Sequence, residues 1–485
     1  MEEKKASTDL TTGPITARLV MFALPIIAGN IVQQLYNVAD SVVVGRFVGS
    51  QALAAVTVSG PVMMLFNSLF MGFAMGGNIL VAQYRGAKQY DALERTVNTT
   101  FAMSFIMGTI ITVLGLLLSK SLLRLLGTPE DILDSAADYL KIVFLGMIGT
   151  IVYNLSNGMT RGFGDSKTPL YVLTFSCCLN ISLDLIFVIN FGWGVVGAAV
   201  ATSIATILSG IYLFSRFLRG TYSVKVSFAQ MRQIDWGIVK LTLKLGLPSA
   251  IQNSVMSLGN MIMQTFSNLF GSSYIAANGI INQVDGFAML PMMGISMANT
   301  TFVGQNIGAG QVDRAKKGMW NAVIICTCIA VVMGFLINNF GIGLIHIYTD
   351  NETVLEIGRT GLTIMSFFLW CMGINQCVSG AMRGAGAATM PALISIITNI
   401  LVRIPTAYML SMVPYNRDIS EAVSSGLYAT TELAAAAGVG FSRYIGLFYT
   451  RPINMVLSAV LILLYYKFGK WQTKSVTGKL QFDDV

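Results

Sequence analysis

The sequence is poor in charge and in the residues on which most enzymes depend. Charged residues form 11% of the 485-residue chain, whereas a soluble domain carries about 25%. It contains one histidine and no GxxxxGK[ST], HExxH or GxSxG motif. ATP hydrolysis, zinc-dependent hydrolysis and serine chemistry therefore have no support. We expect no enzymatic activity, no catalytic residue, no cofactor and no resident metal.

The cysteines and the single histidine do not occur in a pattern that would bind a metal. The six cysteines all lie inside predicted helices, where core packing is the expected role. Cys326 and Cys328 have CxC spacing, but no second pair or nearby histidine completes a zinc site. The single His346 lies near the outer end of a predicted helix, and we expect it in a solvated loop.

Long apolar runs dominate what remains. Hydrophobic residues form 54% of the chain, and the mean hydropathy is +0.67. Many stretches reach the roughly 20 residues that a helix needs to cross hydrocarbon. The sequence predicts an all-α polytopic membrane protein with twelve transmembrane helices, near 18–44, 52–80, 97–119, 139–160, 168–190, 195–218, 238–268, 275–303, 318–345, 357–382, 389–413 and 443–467.

The chain also contains an internal repeat. The segment Arg-Gly-x-Gly-x-x-x-x-Pro at 161–169 returns at 383–391, and Gln-x-x-Gly-Ala-x-Gln-x-Asp at 83–91 returns at 305–313. Both pairs are offset by 222 residues. One constant offset between separate regions indicates a duplicated unit, and duplication is common among transporters whose halves move against each other.

The distribution of basic residues predicts the orientation. Most of the 31 Lys and Arg fall in the termini and in alternate connections, and positive residues favour the cytoplasm. Both termini are therefore expected inside, with two parallel six-helix lobes. The predicted divisions are a cytoplasmic segment 1–17, an N-lobe 18–218, a cytoplasmic linker 219–236, a C-lobe 237–468 with an extended outer loop 414–443, and a cytoplasmic tail 469–485.

The net charge of +8 follows from this bias and from attraction to anionic lipid. We expect a monomer in the cell (inner or plasma) membrane, with membrane lipids and small molecules as partners and no nucleic acid.

Carboxylates inside predicted helices are the most informative residues, because each costs about 2.5–3.5 kcal/mol at the bilayer centre. Asp40, Asp184 and Asp285 stand out in helices 1, 5 and 8. Oxygen-rich groups from helices 1, 5 and 6 would suit Na⁺, and two nearby carboxylates would equally suit a proton. The alternative is that such residues hydrogen-bond helices together. Asp285 could instead pair with Arg403 in helix 11.

Polar residues accompany these acids at helical spacing. Helix 1 presents one polar stripe, and helices 4 and 5 each carry a pair of polar residues on one face. The residues concerned are Gln33, Tyr36, Asn37 and Asp40 in helix 1, Asn154 and Asn157 in helix 4, Asn180 and Asp184 in helix 5, and Thr202 and Ser203 in helix 6.

Together with Pro25 in helix 1, the polar stripe and the two repeated motifs make the chain resemble the multidrug and toxic compound extrusion (MATE) family. The resemblance covers about residues 15 to 468. It implies twelve helices in two lobes, and export of cationic or amphipathic drugs in exchange for Na⁺ or H⁺.

The resemblance also implies roles for particular residues. The N-lobe ion-coupling site corresponds to Asp40, Asn180, Asp184 and Thr202, the drug cavity to Gln33, Tyr36, Asn154 and Asn157, and the bend of helix 1 to Pro25. We add Asn37, Gln252, Gln283, Asp285 and Gln376 as candidate substrate-binding residues.

Two features depart from the family pattern. Some members carry carboxylates on helices 7 and 10, where this chain has Gln252-Asn253 and Asn375-Gln376. Coupling is therefore expected to depend on the first lobe. Gly197 and Gly446 correspond at an offset of 249 rather than 222, which puts extra residues into the outer connection between helices 11 and 12.

The sequence thus predicts a secondary active multidrug exporter that works by alternating access. The alternative is a flippase for a lipid-linked or polysaccharide precursor, which would need a strongly cationic cavity. We rank it second because Arg403 is the only basic residue that the sequence places well inside a helix.

Overall fold

The computed structural model describes residues 9–47, 50–125, 127–222, 224–425, 427–431, 433 and 438–478. The side chains of residues 39–46, 50–56, 61, 65 and 131 are outside the description. Asp40 is consequently placed by its backbone alone, in the first long helix. Every regular element among the described residues is helical, which confirms the predicted all-α class.

Six long helical segments build the first half of the chain. They are α1 (Ile15–Phe47), α2 (Ser50–Gly86), α3 (Tyr90–Leu125), the bent pair α4 (Glu130–Leu145 and Met147–Gly162), α5 (Lys167–Asp184, continued by π-helical turns over Leu185–Asn190) and α6 (Gly194–Leu218). A linker with one short helix, Phe228–Met231, follows.

The second half has the same order of segments. They are α7 (Trp236–Asn268), α8 (Gly271–Gly308), α9 (Val312–His346), the bent pair α10 (Glu352–Ser366 and Leu369–Gly384), α11 (Thr389–Ile396, continuing with π-helical turns over Ile397–Arg403 and Tyr408–Met412 to the helix Val413–Ser424) and α12 (Ile445–Phe468). The repeat extends to irregular features. Both α4 and α10 bend by 48° at a short break, and both α5 and α11 pass into π-helix.

Among the described residues, eight helices are long and apolar enough to cross a membrane, or ten if each bent pair is one span. This supports a multi-pass membrane protein, with fewer spans by this measure than the twelve predicted. The two long helices that remain are α7 and α8. They carry more polar side chains than their neighbours because they wall a large cavity, and lining residues need not be apolar.

The repeated Arg-Gly-x-Gly segment ends a helix in each half. Gly164 follows α4 with φ +74° and Gly386 follows α10 with φ +92°. This left-handed conformation commonly terminates helices and strongly favours glycine, which has no Cβ to clash. The motif therefore fixes how α4 and α10 turn into α5 and α11.

The repeated Gln-x-x-Gly segment joins the halves where α2 and α8 end. A Cβ added to Gly86 would lie 1.9 Å from the carbonyl oxygen of Gln305, and one added to Gly308 would lie 2.0 Å from that of Gln83. Only glycine permits this backbone contact. We call Gln83, Gly86, Gln305 and Gly308 the Gln–Gly junction.

The two glutamines of the junction make equivalent bonds across the repeat. Gln83 Nε2 donates to the carbonyl oxygen of Gly384, and Gln305 Nε2 donates to that of Gly162, each at 2.8 Å. Their Oε1 atoms accept from the backbone of the terminal segments, from Val476 N at 2.8 Å and from Leu10 N at 3.1 Å. The segments around Leu10 and Val476 are therefore held at one side of the molecule, which we call the terminal side.

Two local expectations change. The segment predicted as an outer loop over 414–443 begins as the helix Val413–Ser424, and Arg443 closes it by donating to Asp418 from Nε at 2.7 Å and from Nη2 at 3.2 Å. Of the six cysteines, Cys178 and Cys328 are exposed rather than in the core, because they lie on helix faces that no neighbouring helix covers.

Candidate ion and substrate sites

The last turns of α5 place an amide and a carboxylate on one buried face. Asn180 and Asp184 are one helical turn apart, with exposed fractions of 1% and 0%. One polar atom of the Asn180 amide lies 2.8 Å from Asp184 Oδ2. Since a carboxylate accepts hydrogen bonds, the amide nitrogen faces Asp184 and the amide oxygen faces away from it.

Helices α1 and α6 complete this group. With that orientation, the Asn180 oxygen accepts from Thr202 N at 3.0 Å and from Thr202 Oγ1 at 3.1 Å. The hydroxyl of Tyr36 in α1 lies 3.4 Å from Thr202 Oγ1. The structure thus brings together three predicted ion-coupling residues with Tyr36, which the sequence assigned to the drug cavity. We call Tyr36, Asn180, Asp184 and Thr202 the N-site.

Asp40 follows Tyr36 by four residues in α1, which is one helical turn. Its side chain is outside the described residues, so its part in the N-site stays a prediction. The described oxygens of Tyr36, Asn180, Asp184 and Thr202 are the hard ligands that Na⁺ prefers, and a buried carboxylate is also a proton acceptor. The arrangement can therefore hold either cation.

The other predicted residues of the first half are more scattered. Gln33 Nε2 donates to Asn37 Oδ1 along α1 at 3.3 Å, and Asn37 is exposed. Asn154 donates to the carbonyl oxygen of Thr150 in its own helix at 2.9 Å and lines a small cavity of about 60 Å³. Asn157 is half-buried. Pro25 lies inside α1, where proline removes a backbone hydrogen bond and permits a bend.

A much larger cavity, with a volume of about 670 Å³, lies in the second half. Helices α7, α8, α10, α11 and α12 form most of its wall, and Met71 and Met75 of α2 close one side. Among the predicted substrate-binding residues, Gln252, Asp285 and Gln376 line it. Gln283, which precedes Asp285 by two residues on α8, is exposed and is not among the residues that line the cavity.

Charged side chains enter this cavity from four helices, α8, α10, α11 and α12. Asp285 forms an ion pair with Arg451 of α12, with Oδ2 3.7 Å from Nη1. Arg403 of α11 donates from Nη1 to Asn260 Oδ1 at 3.0 Å. The predicted alternative pairing of Asp285 with Arg403 is therefore replaced by a pairing with Arg451. The sequence suggested that Arg403 is the only basic residue well inside a helix, but Arg451 also lies inside one.

Sequence reasoning missed Arg451 although a signal was present. The offset of 249 residues that relates Gly197 to Gly446 also relates Thr202 to Arg451. The arginine thus occupies the position in α12 that corresponds to an N-site residue in α6. Neutral side chains join the helices around Arg451, and no sequence pattern predicted these contacts. Asn454 Nδ2 donates to Asn399 Oδ1 at 3.2 Å, and Gln252 Nε2 donates to Ser395 Oγ at 2.8 Å.

A MatE family model matches residues 25–186 and again 248–409. The two matches begin 223 residues apart, so they coincide with the internal repeat, and together they cover more than half of the chain. This chain belongs to the MatE family. The resemblance inferred from the motifs is confirmed, and with it the expectation of a membrane transporter rather than an enzyme.

Curated relatives of this MatE protein align over almost its whole length. A probable multidrug resistance protein, YoeA of Bacillus subtilis, is 29% identical over 467 residues, which is 95% of each chain. The probable multidrug resistance protein NorM of Thermotoga maritima is 28% identical and covers 95% of this chain and 94% of its own. The multidrug export protein MepA of Staphylococcus saprophyticus is 23% identical over 81% of this chain and 86% of its own.

Solved structures have the same fold. One described as "Crystal structure of MATE in complex with MaL6" superimposes with a TM-score of 0.83 at 24% identity, covering 95% of this chain and 97% of its own. One described as an outward-facing conformation of a multidrug resistance MATE family transporter has a TM-score of 0.83 at 23% identity, covering 94% and 96%.

Proposed function

We propose that this MatE protein is a secondary active multidrug exporter, which exchanges cationic or amphipathic small molecules for Na⁺ or H⁺ by alternating access. The observation that carries the proposal is the N-site, a buried carboxylate that is linked through the Asn180 amide to hydroxyl groups of α6 and α1. The printed names of curated relatives, which are multidrug resistance and export proteins, support the substrate class.

The N-site would couple transport through its charge. A cation entering down a potential of 100 mV supplies about 2.3 kcal/mol. Binding of one Na⁺, or of one proton, would remove one negative charge from the pair formed by Asp184 and, in this proposal, Asp40. That change would alter the hydrogen bonds that attach α1 to α6 through Tyr36 and Thr202. Helix α1 could then bend near Pro25, where it already lacks a backbone hydrogen bond.

The Gln–Gly junction would close the cavity on the terminal side. We assign the terminal side to the cytoplasm, because basic residues concentrate there. With α2 and α8 in backbone contact at that side, the cavity would face outward. Alternating access would then require the four junction residues to separate, so their hydrogen bonds are part of the energy difference between the two states.

The flippase alternative requires a separate answer, since the cavity contains more arginine than the sequence indicated. The relatives that align over nearly the whole chain are multidrug proteins, which favours export. A lipid-scrambling assay with fluorescent phospholipids separates the two, and we expect no scrambling above that of empty vesicles.

The direct test is dye efflux from proteoliposomes under imposed gradients. Rhodamine 123 would be loaded inside, and Na⁺ and H⁺ gradients would be applied separately at the same membrane potential. We expect one gradient to drive efflux and the other to fail. Efflux that is independent of both gradients, or absent under both, would contradict the proposal.

A further inference from the structure

The second half places one arginine at a helix position that belongs to the N-site in the first half, and a second arginine next to such a position. The family repeat relates α1, α5 and α6 to α7, α11 and α12. Asn37 corresponds to Asn260 at an offset of 223, and Thr202 corresponds to Arg451 at 249. Arg403 corresponds to Ile181, the residue after Asn180. The centre that holds the carboxylate of Asp184 in one half therefore holds guanidinium groups in the other.

Neighbouring amides hold the two arginines at the same level of the cavity. The bond between Asn399 and Asn454 joins α11 to α12. Asn399 precedes Arg403 by one helical turn, and Asn454 follows Arg451 by nearly one turn. Because consecutive membrane helices run antiparallel, both arginines lie to the same side of this bond. Each charge of Arg403, Arg451 and Asp285 acts electrostatically on the other two.

The positive charge in this centre exceeds the negative charge. Asp285 is the single acid among the described residues that line the cavity, whereas Arg383, Arg403 and Arg451 all line it. Arg403 is 8% exposed, and its guanidinium group hydrogen-bonds the neutral amide of Asn260. Its Nε has no hydrogen-bond partner within the described part of the chain. A buried guanidinium group that no carboxylate contacts directly is costly, so an anionic group bound beside Arg403 would be stabilised.

We infer that this centre, which we call the C-site (Asn260, Asp285, Arg403 and Arg451), binds a carboxylate group of the transported molecule. The inference rests on the proposed export function and extends its substrate class to zwitterionic and anionic amphipathic compounds. A planar guanidinium offers two parallel N–H donors that match the two oxygens of a carboxylate. The uncompensated Nε of Arg403 is the donor that would complete such a pair.

The rest of the cavity suits the apolar body of such a molecule. Methionines dominate the wall beside the C-site, including Met256, Met289 and Met455. Their flexible, polarisable side chains adapt to varied aromatic shapes. A volume of about 670 Å³ lies within the range of drug-sized ligand pockets, about 300–1,000 Å³.

A matched pair of dyes tests the C-site. Rhodamine 110 has a free carboxylate, and rhodamine 123 is its methyl ester and a cation. Dissociation constants would be measured by fluorescence anisotropy with the purified full-length protein in nanodiscs. We expect Arg403→Gln to weaken rhodamine 110 binding relative to rhodamine 123 by about tenfold. Arg403→Lys should restore part of the preference, since it keeps the charge and loses the paired donors.

A second variant changes the preference in the opposite direction. Asp285→Asn removes the one acid of the cavity wall and should favour rhodamine 110 over rhodamine 123 by several fold, even if Arg403→Gln fails to fold. Arg417→Gln is the matched control, because Arg417 is 70% exposed on the outer helix and pairs with Glu421. It should leave the ratio of the two constants unchanged.

Each outcome decides something. Equal effects of Arg403→Gln or of Asp285→Asn on both dyes would overturn the C-site while leaving export intact. Wild-type protein that binds rhodamine 123 but not rhodamine 110 would do the same. Wild-type protein that binds and exports neither dye would contradict the export function itself. An oppositely directed shift for the two substitutions supports the C-site.

Discussion

The two halves of this MatE protein share a scaffold and differ in the charge at its centre. In the first half, the fully buried carboxylate of Asp184 in α5 contacts the neutral amide of Asn180, which in turn bonds Thr202 of α6. In the second half, α11 and α12 present Arg403 and Arg451 to a large cavity. Duplication therefore preserved the helix geometry, the glycine contacts and the junction, while the polar centres diverged in sign. One centre suits a cation, and the other suits an anionic group.

The largest expected effect comes from removing the buried acid of the first half. Asp184→Asn should reduce gradient-driven dye efflux by at least about tenfold, because an amide cannot take up the neutralising cation. Efflux from proteoliposomes would be measured beside dye binding, which should persist. Asp285→Asn is the control from the second half and should keep the gradient dependence. Full efflux by Asp184→Asn would remove the N-site from the coupling mechanism.

A steric substitution at the junction should have the next largest effect. Gly308→Ala places a methyl group 2.0 Å from the carbonyl oxygen of Gln83, and such overpacking costs about 1–3 kcal/mol. The terminal side should open, which raises the labelling rate of a thiol introduced by Ser475→Cys, followed by mass spectrometry. Gly343→Ala is the control, because nothing lies within 4 Å of its added Cβ. Unchanged labelling would show that the junction does not hold this side closed.

The symmetry of the junction gives a smaller and sharper prediction. Gln83→Leu and Gln305→Leu each remove bonds to the opposite half and to one chain end, at a cost of about 1 kcal/mol for each net hydrogen bond. Because the contacts are equivalent, Gln83→Leu should raise the labelling of Ser475→Cys, and Gln305→Leu should raise the labelling of Asp9→Cys, to a similar extent. A strong effect of one alone would mean that the halves close unequally.

The smallest effect is expected in the outer connection, where the halves differ in length. Arg443→Gln breaks the pair with Asp418, which is partly exposed, and ion pairs at the surface contribute little to stability. The melting temperature should fall slightly and transport should stay at the wild-type level. Lost transport with normal stability would instead assign the inserted segment a role in gating.

The repeat and the apolar runs were sufficient to predict the helices and their order, because membrane helices must be long and apolar. For the same reason, α7 and α8 have the weakest apolar signal of the long helices, since their polar residues line the cavity. The N-site could be found because Asn180 and Asp184 share a helix face and acids in a membrane are rare. Arg451 was missed because it becomes equivalent to Thr202 only after the inserted residues change the offset. No local pattern could show that Arg403 contacts Asn260, which is 143 residues away.

The central claim is that the first half binds the coupling ion and the second half selects the substrate. Uptake of radioactive sodium or of protons, measured together with efflux of both rhodamines, tests it directly in Asp184→Asn and Arg403→Gln vesicles. The account predicts that Asp184→Asn loses dye-coupled ion uptake, whereas Arg403→Gln keeps the uptake and changes which dye is exported. Loss of ion uptake in Arg403→Gln with its retention in Asp184→Asn would contradict the account.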